Sequence, residues 1–159
     1  MSTTFKNRPV PANRVLQYWG NRPMGEVRVN ICFTNVLDAM RFDQGEISED
    51  EVRQYEIDAL VDTDAVQTVI PQVVVDALGL KIHRQRTVTY ADGRTESVGV
   101  TYPVFAEIMG RDTAEECLVL GNEVLIGHTI LEKTDLLVDC ANARLVTNPD
   151  HPDGPVMRV

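Results

Sequence analysis

The sequence predicts a mostly β fold in one domain, and three observations carry that expectation. Apolar and polar residues alternate in several short stretches, turn-forming residues separate those stretches at close spacing, and only one or two stretches hold apolar residues at helical spacing. The result is about eight short strands with one or two brief helices, closed as a barrel or packed as a sandwich. At 159 residues the chain is long enough to build a core without disulfide or metal.

Each element has its own warrant. Residues 1–25, with Pro9, Pro11, Pro23, Gly20 and Gly25, read as an extended N-terminal arm anchored by Tyr18 and Trp19. A domain over 26–147 follows. Val27, Val29, Ile31 and Phe33 alternate with Arg28, Asn30 and Cys32, the period of a half-buried strand. The charged stretch 38–54 reads as a solvated excursion, with Ser48-Glu49-Asp50-Glu51 resembling a capping box that opens one helical turn. Ile57, Ala59 and Val61 alternate again and lead into Asp62-Thr63-Asp64-Ala65. Pro71 suits a helix start, Val74, Ala77 and Leu78 follow at helical spacing, and Gly79 suits its end. Val88–Tyr90 and Val98–Ile108 read as two strands of a long hairpin turned at Ala91-Asp92-Gly93-Arg94. Strands at 117–120 and 124–127, a helical turn over 128–133, and strands at 136–139 and 144–147 complete the core. Residues 148–159, with Pro149, Pro152, Gly154 and Pro155, read as a flexible C-terminal tail.

Composition excludes several function classes. Fifteen Lys and Arg against 24 Asp and Glu give a net charge of −9, which repels nucleic acid and anionic membranes. No apolar run approaches the roughly 20 residues that cross a bilayer, and the first residues hold no signal-peptide core. Cys32, Cys117 and Cys140 are odd in number and widely spaced, which argues for a reducing compartment and core packing rather than disulfides or a metal set. The expected location is cytoplasmic, with no cofactor and no metal.

One segment points to chemistry. Asp62 and Thr63 stand at the end of the apolar strand Ala59-Leu60-Val61. A carboxylate placed there needs donors, a partner or a changed pKa. Two readings stay open on the residues alone: a reactive carboxylate, or an aspartate whose side chain caps the following turn.

The chain resembles the retroviral-type (retropepsin-like) aspartic proteases on three motifs in order: Leu60-Val61-Asp62-Thr63 with Ala65, the hairpin Tyr90-Ala91-Asp92-Gly93-Arg94 where that family has its flap, and Leu125-Ile126-Gly127. The likeness runs from about Glu26 to Leu145. It implies a retropepsin-like barrel whose half-site is completed by homodimerisation across a two-fold axis, Asp62 facing Asp62′. Two such carboxylates share one proton; one activates water while the other protonates the scissile carbonyl. The implied activity is that of an aspartic endopeptidase acting on an extended peptide. The implied catalytic residues are Asp62 and Thr63, the latter bonding across the axis. The implied substrate-binding residues are Asp64, Ala65, Tyr90, Ala91, Asp92, Gly93, Ile126 and Gly127, the hairpin tip folding over the peptide.

The motif departs from the family at Asp64, which stands where the family has glycine. Four carboxylates near one axis would favour protonated forms. A peptide-binding module of the same fold with impaired hydrolysis is therefore the competing reading, and a carboxylate-lined cation site is a third. His128 reads either as a brace for the site or as a solvent-facing residue at a helix start. His83 and His151 have no ligand spacing. Asp139 reads as a cap for the turn 140–143.

Overall fold

The computed structural model describes residues 25–159, so the arm expected over 1–25 lies outside the described residues except for Gly25. The fold is mostly β, as the sequence predicts, with eleven strands and three short helices among the described residues. In chain order these are β1 (Arg28–Thr34), α1 (Val36–Asp43), a 3-10 turn (Glu49–Glu51), β2 (Gln54–Val61), β3 (Val69–Ile70), α2 (Gln72–Leu78), β4 (Ile82–Thr89) and β5 (Thr95–Thr101). Then come β6 (Val104–Ile108), β7 (Arg111–Glu115), β8 (Leu118–Val119), β9 (Leu125–Ile126), α3 (His128–Thr134), β10 (Leu136–Asp139) and β11 (Arg144–Thr147).

Nine strands form one sheet in the order β4-β5-β8-β3-β9-β2-β1-β6-β7, and β10 and β11 form a separate pair. Connectivity forces this sheet to curl. In a flat sheet β5 and β6 would stand about 29 Å apart, six spacings of about 4.8 Å. Only Tyr102 and Pro103 join them, a link that reaches at most about 11 Å. The row therefore bends round into a half-barrel. Its interior holds Ile31 and Phe33 of β1, Ala59 of β2 and Ile126 of β9, with Val74 and Leu78 of α2 packed against them, all fully buried.

Three expectations need correction. The apolar run from Val98 to Ile108 is two strands and not one, because Pro103 cannot donate to a ladder and the chain turns there to the far side of the sheet. Residues 36–43 are a helix and not an open excursion. Asn35 accepts the Asp38 N–H at 3.0 Å and caps it. Cys140 is exposed and packs in no core, whereas Cys117 is fully buried. The turn at Ser48 does carry the capping box, and α2 ends at Gly79, whose φ of +62° is one that glycine adopts without strain.

An ion pair between buried Asp38 and exposed Arg53 ties α1 to the start of β2. Asp38 accepts from the Arg53 Nε at 2.7 Å, its Nη2 at 3.0 Å and its backbone N–H at 3.1 Å. The Arg53 hydrogen bonds hold the Asp38 carboxyl below the usual carboxylate range against the opposing effect of burial. At the other end of the chain, buried Arg111 donates to the carbonyls of Thr134, Asp135 and His151, and Asp135 accepts from Asn148 and the backbone of Val156. The segment from Asn148 is anchored at these points.

Candidate active site

The site is built where β2 ends. β2 runs parallel to β9, with Leu60 opposite Leu125 and Val61 opposite Ile126, and antiparallel to β1 on its other side. Parallel pairing continues one residue past the strand: the Asp62 N–H donates to the Ile126 carbonyl at 3.0 Å. The Val61 N–H donates to Val27 at 2.8 Å and that of Leu60 to Val124 at 3.1 Å, so the residues before Asp62 are held from both flanks. Arg28 reinforces this junction. Its guanidinium bonds Glu26 at 3.2 Å and Glu123, and lies 3.6 Å from Asp58, linking β1, β2 and the approach to β9. Burial pulls against that charge, but the bonds to Glu123 and Glu26 outweigh it and raise the Arg28 pKa.

After Asp62 the backbone turns sharply. The Ala65 N–H donates to the Asp62 carbonyl at 3.2 Å, and the Asp62 Oδ1 accepts the Asp64 N–H at 3.1 Å. The capping role read as one alternative for Asp62 is thus present. It leaves Oδ2 of the same carboxylate outside that bond. Asp62 is half-buried, while Thr63 and Asp64 are exposed in the single chain. Asp64 uses its backbone N–H toward Asp62 and has its side chain at the surface.

The far side of the loop rests on Gly127 and α3. The backbone N–H groups of His128 and Thr129 donate to the carbonyls of Ala65 at 2.8 Å and Val66 at 3.1 Å. Gly127 donates to the buried Thr68 Oγ1 at 3.1 Å. A β-carbon at Gly127 would stand 2.4 Å from the Gln67 carbonyl carbon, so only glycine fits this approach. Asp62, Thr63, Asp64 and Ala65 are thereby brought together with Ile126 and Gly127. The His128 side chain is solvent-facing and pairs with Glu132 at 3.0 Å, so the support comes from its main chain.

The hairpin residues stand apart from the loop. Tyr90, Ala91, Asp92 and Gly93 form the tip between β4 and β5, with Gly93 at φ +85° and its N–H bonded to the Tyr90 carbonyl at 2.9 Å. The tip's side-chain contacts stay within the hairpin. Tyr90 donates to Glu96, which raises its pKa; the Arg94 guanidinium lies 5.0 Å from the Tyr90 ring. Asp92 accepts from the Arg94 backbone at 3.0 Å and its Nε at 2.6 Å, and those bonds lower its carboxyl pKa. Along the hairpin a cleft of about 320 Å³ is lined by Gln72, Ile82, Tyr90, Val98 and Leu120, among others. A larger pocket of about 870 Å³, lined by Leu37, Met40, Leu80 and Tyr102, lies beside Asn35. Asn35 follows the end of β1 opposite to the one that pairs beside Asp62, so that pocket is remote from the carboxylate.

Sequence reasoning passed over Thr68, Glu115 and Thr129. Glu115 is 4% exposed, its Oε1 accepts from Thr129 Oγ1, and its Oε2 is buried with no hydrogen-bond partner among the described residues. His83 pairs with Glu116 at 3.0 Å and His151 with Asp135 at 2.5 Å, contacts that no sequence spacing signalled. Asp139 caps its turn as expected, accepting from the Asn142 N–H at 3.2 Å. Among the described residues no three His, Cys, Asp or Glu side chains gather as a metal set would, and no helix is long and apolar enough to cross a membrane.

Comparison with known proteins adds the following. No family model and no curated protein matches the chain. The solved structure of EIAV protease complexed with the inhibitor HBY-793 is similar at 18% identity and a TM-score of 0.45, covering 72% of this chain and 89% of that one. A likeness of that degree says nothing about chemistry. The curled sheet, the three helices and the Asp62 loop bonded to β9 together fit a retropepsin-like fold.

Proposed function

We propose that the chain is one half of an aspartic endopeptidase, with a second copy supplying the other half. The observation that supports this reading is the setting of Asp62: a half-buried carboxylate on a loop bonded to Ile126 on one side and carried by α3 on the other, with exposed Thr63 and Asp64 next to it. One such carboxylate cannot both activate water and protonate a carbonyl. Two copies meeting at this exposed loop would bring Asp62 and Asp62′ together, and the pair would share a proton. Thr63 would bond across the axis. The extended peptide would lie between Ile126 and the hairpin tip of Tyr90, Ala91, Asp92 and Gly93, with Asp64 and Ala65 at its edge.

The test is cleavage of an unstructured peptide library between acidic and neutral pH, with sedimentation run on the same samples. We expect a dimer, and a loss of turnover of at least about 10²-fold on Asp62→Asn. Unchanged turnover, or a strictly monomeric active species, overturns the reading.

Asp64 supports a second reading, a peptide-binding module of the same fold with impaired hydrolysis. Its side chain adds a carboxylate beside each Asp62. Activity that appears only in Asp64→Gly favours that reading; equal activity in parent and variant dismisses it.

A further inference from the structure

We propose that Glu115 and Thr129 are positioning residues that hold the Asp62 loop from beneath, a role resting on the reading of that loop as catalytic. The loop's carbonyls at Ala65 and Val66 are gripped by two N–H groups, those of His128 and Thr129, at the first turn of α3. The exposed His128 side chain pairs with Glu132 of the same helix, whereas the Thr129 side chain reaches outside α3. Its Oγ1 lies between the Val66 carbonyl, at 3.1 Å, and the Glu115 carboxylate.

One hydroxyl carries one proton, and two acceptors face it. The division follows from the donors at hand: the Thr129 N–H already serves Val66 at 3.1 Å, which leaves the hydroxyl proton to Glu115. The threonine is thus pinned at both its side chain and its main chain. Glu115 itself cannot drift. It belongs to β7, where it pairs with Val104 of β6, and it is 4% exposed. Its other oxygen has no hydrogen-bond partner among the described residues, and within them Thr129 is the donor this carboxylate has. A buried acceptor left with one donor resists losing it. Lys133, the lysine of α3, donates its ammonium to the Ala114 carbonyl at 3.1 Å. The chain of contacts runs from the β6–β7 hairpin through Glu115 and Thr129 to Val66, four residues after Asp62.

The experiment uses the full chain and two kinds of variant. Thr129→Val and Glu115→Leu remove the donor and the acceptor; Thr129→Ser and Glu115→Gln keep a hydroxyl and an accepting oxygen. Amide hydrogen exchange at His128 and Thr129 is read against the Ile31 and Phe33 amides of β1, and kcat and KM are read on a cleaved peptide. We expect exchange at 128 and 129 to quicken at least about tenfold in the first pair beyond any change in β1, and kcat to fall roughly 10- to 100-fold with KM little altered. The second pair should stay near the parent on both readouts. Exchange at 128 and 129 that moves only with β1, or faster exchange with kcat intact, overturns the proposal. Exchange needs no turnover, so a chain that cleaves nothing sinks the peptidase reading while the bracing is still measured.

Discussion

Gly127 approaches the Gln67 main chain so closely that a β-carbon would lie 2.4 Å from its carbonyl carbon and 2.7 Å from the Thr68 nitrogen. Both contacts are backbone, so neither can swing aside. Gly127→Ala should therefore cost roughly 1–3 kcal/mol of stability. Urea unfolding of the variant measures it. A midpoint equal to the parent's would mean that the two segments part without penalty. The same displacement would move Ile126, whose carbonyl accepts from Asp62, and on the proposed peptidase function turnover should fall further than the loss of stability accounts for.

The pair of Asp38 and Arg53 sets an acid limit. Because Arg53 holds the Asp38 carboxyl below its unfolded value, the contribution of the pair is fully present above the unfolded pKa, about 3.9. It is lost as pH falls through the lower folded-state value. Asp38→Asn should flatten the stability profile below about pH 4, and Arg53→Met should cost about 2 kcal/mol at neutral pH. That figure is smaller than for a fully enclosed pair because the Arg53 side chain is 48% exposed. Chemical denaturation across pH 2–7 checks both; parallel profiles for parent and Asp38→Asn would refute the assignment.

The three thiols differ in access. Burial pushes the Cys117 thiol far up, so it is neither ionised nor reachable in the folded chain. Cys140 is exposed and Cys32 half-buried. A short iodoacetamide pulse under native conditions should modify Cys140 first and leave Cys117 untouched until denaturant is added. Mass spectrometry of the digested protein reads the order, and early labelling of Cys117 would contradict the packing around it.

Sequence reading succeeds where structure is local. Alternation from Val27 to Phe33, the Asp92-Gly93 tip and the 71–78 helix are each decided by neighbours within a few residues, and each is present. It fails where distant contacts decide. The α1 helix exposes Leu37 and Met40 at 62% and 49%, so no clean apolar stripe marks it. The run from Val98 to Ile108 keeps its alternation in phase across Pro103, which hid the change of strand. β3, β8 and β9 are two residues long, too short to show a period. At the site, Asp62, Ile126 and Gly127 were legible as motifs. Glu115 and Thr129 were not, since nothing in a chain read one residue at a time links positions 14 apart on a strand and a helix.

The curl of the nine-stranded row also orders the way the chain assembles. The pairs β1–β2, β4–β5 and β6–β7 join neighbours in sequence, so each closes a short loop at small entropic cost. The β2–β9 pairing joins Leu60 to Leu125, and the β3–β8 pairing joins Val69 to Leu118. Both join residues far apart in the chain, and the β2–β9 side carries the bond from the Asp62 N–H to Ile126. Contact order therefore places the Asp62 end of the molecule among the last parts expected to become organised, after the three local hairpins.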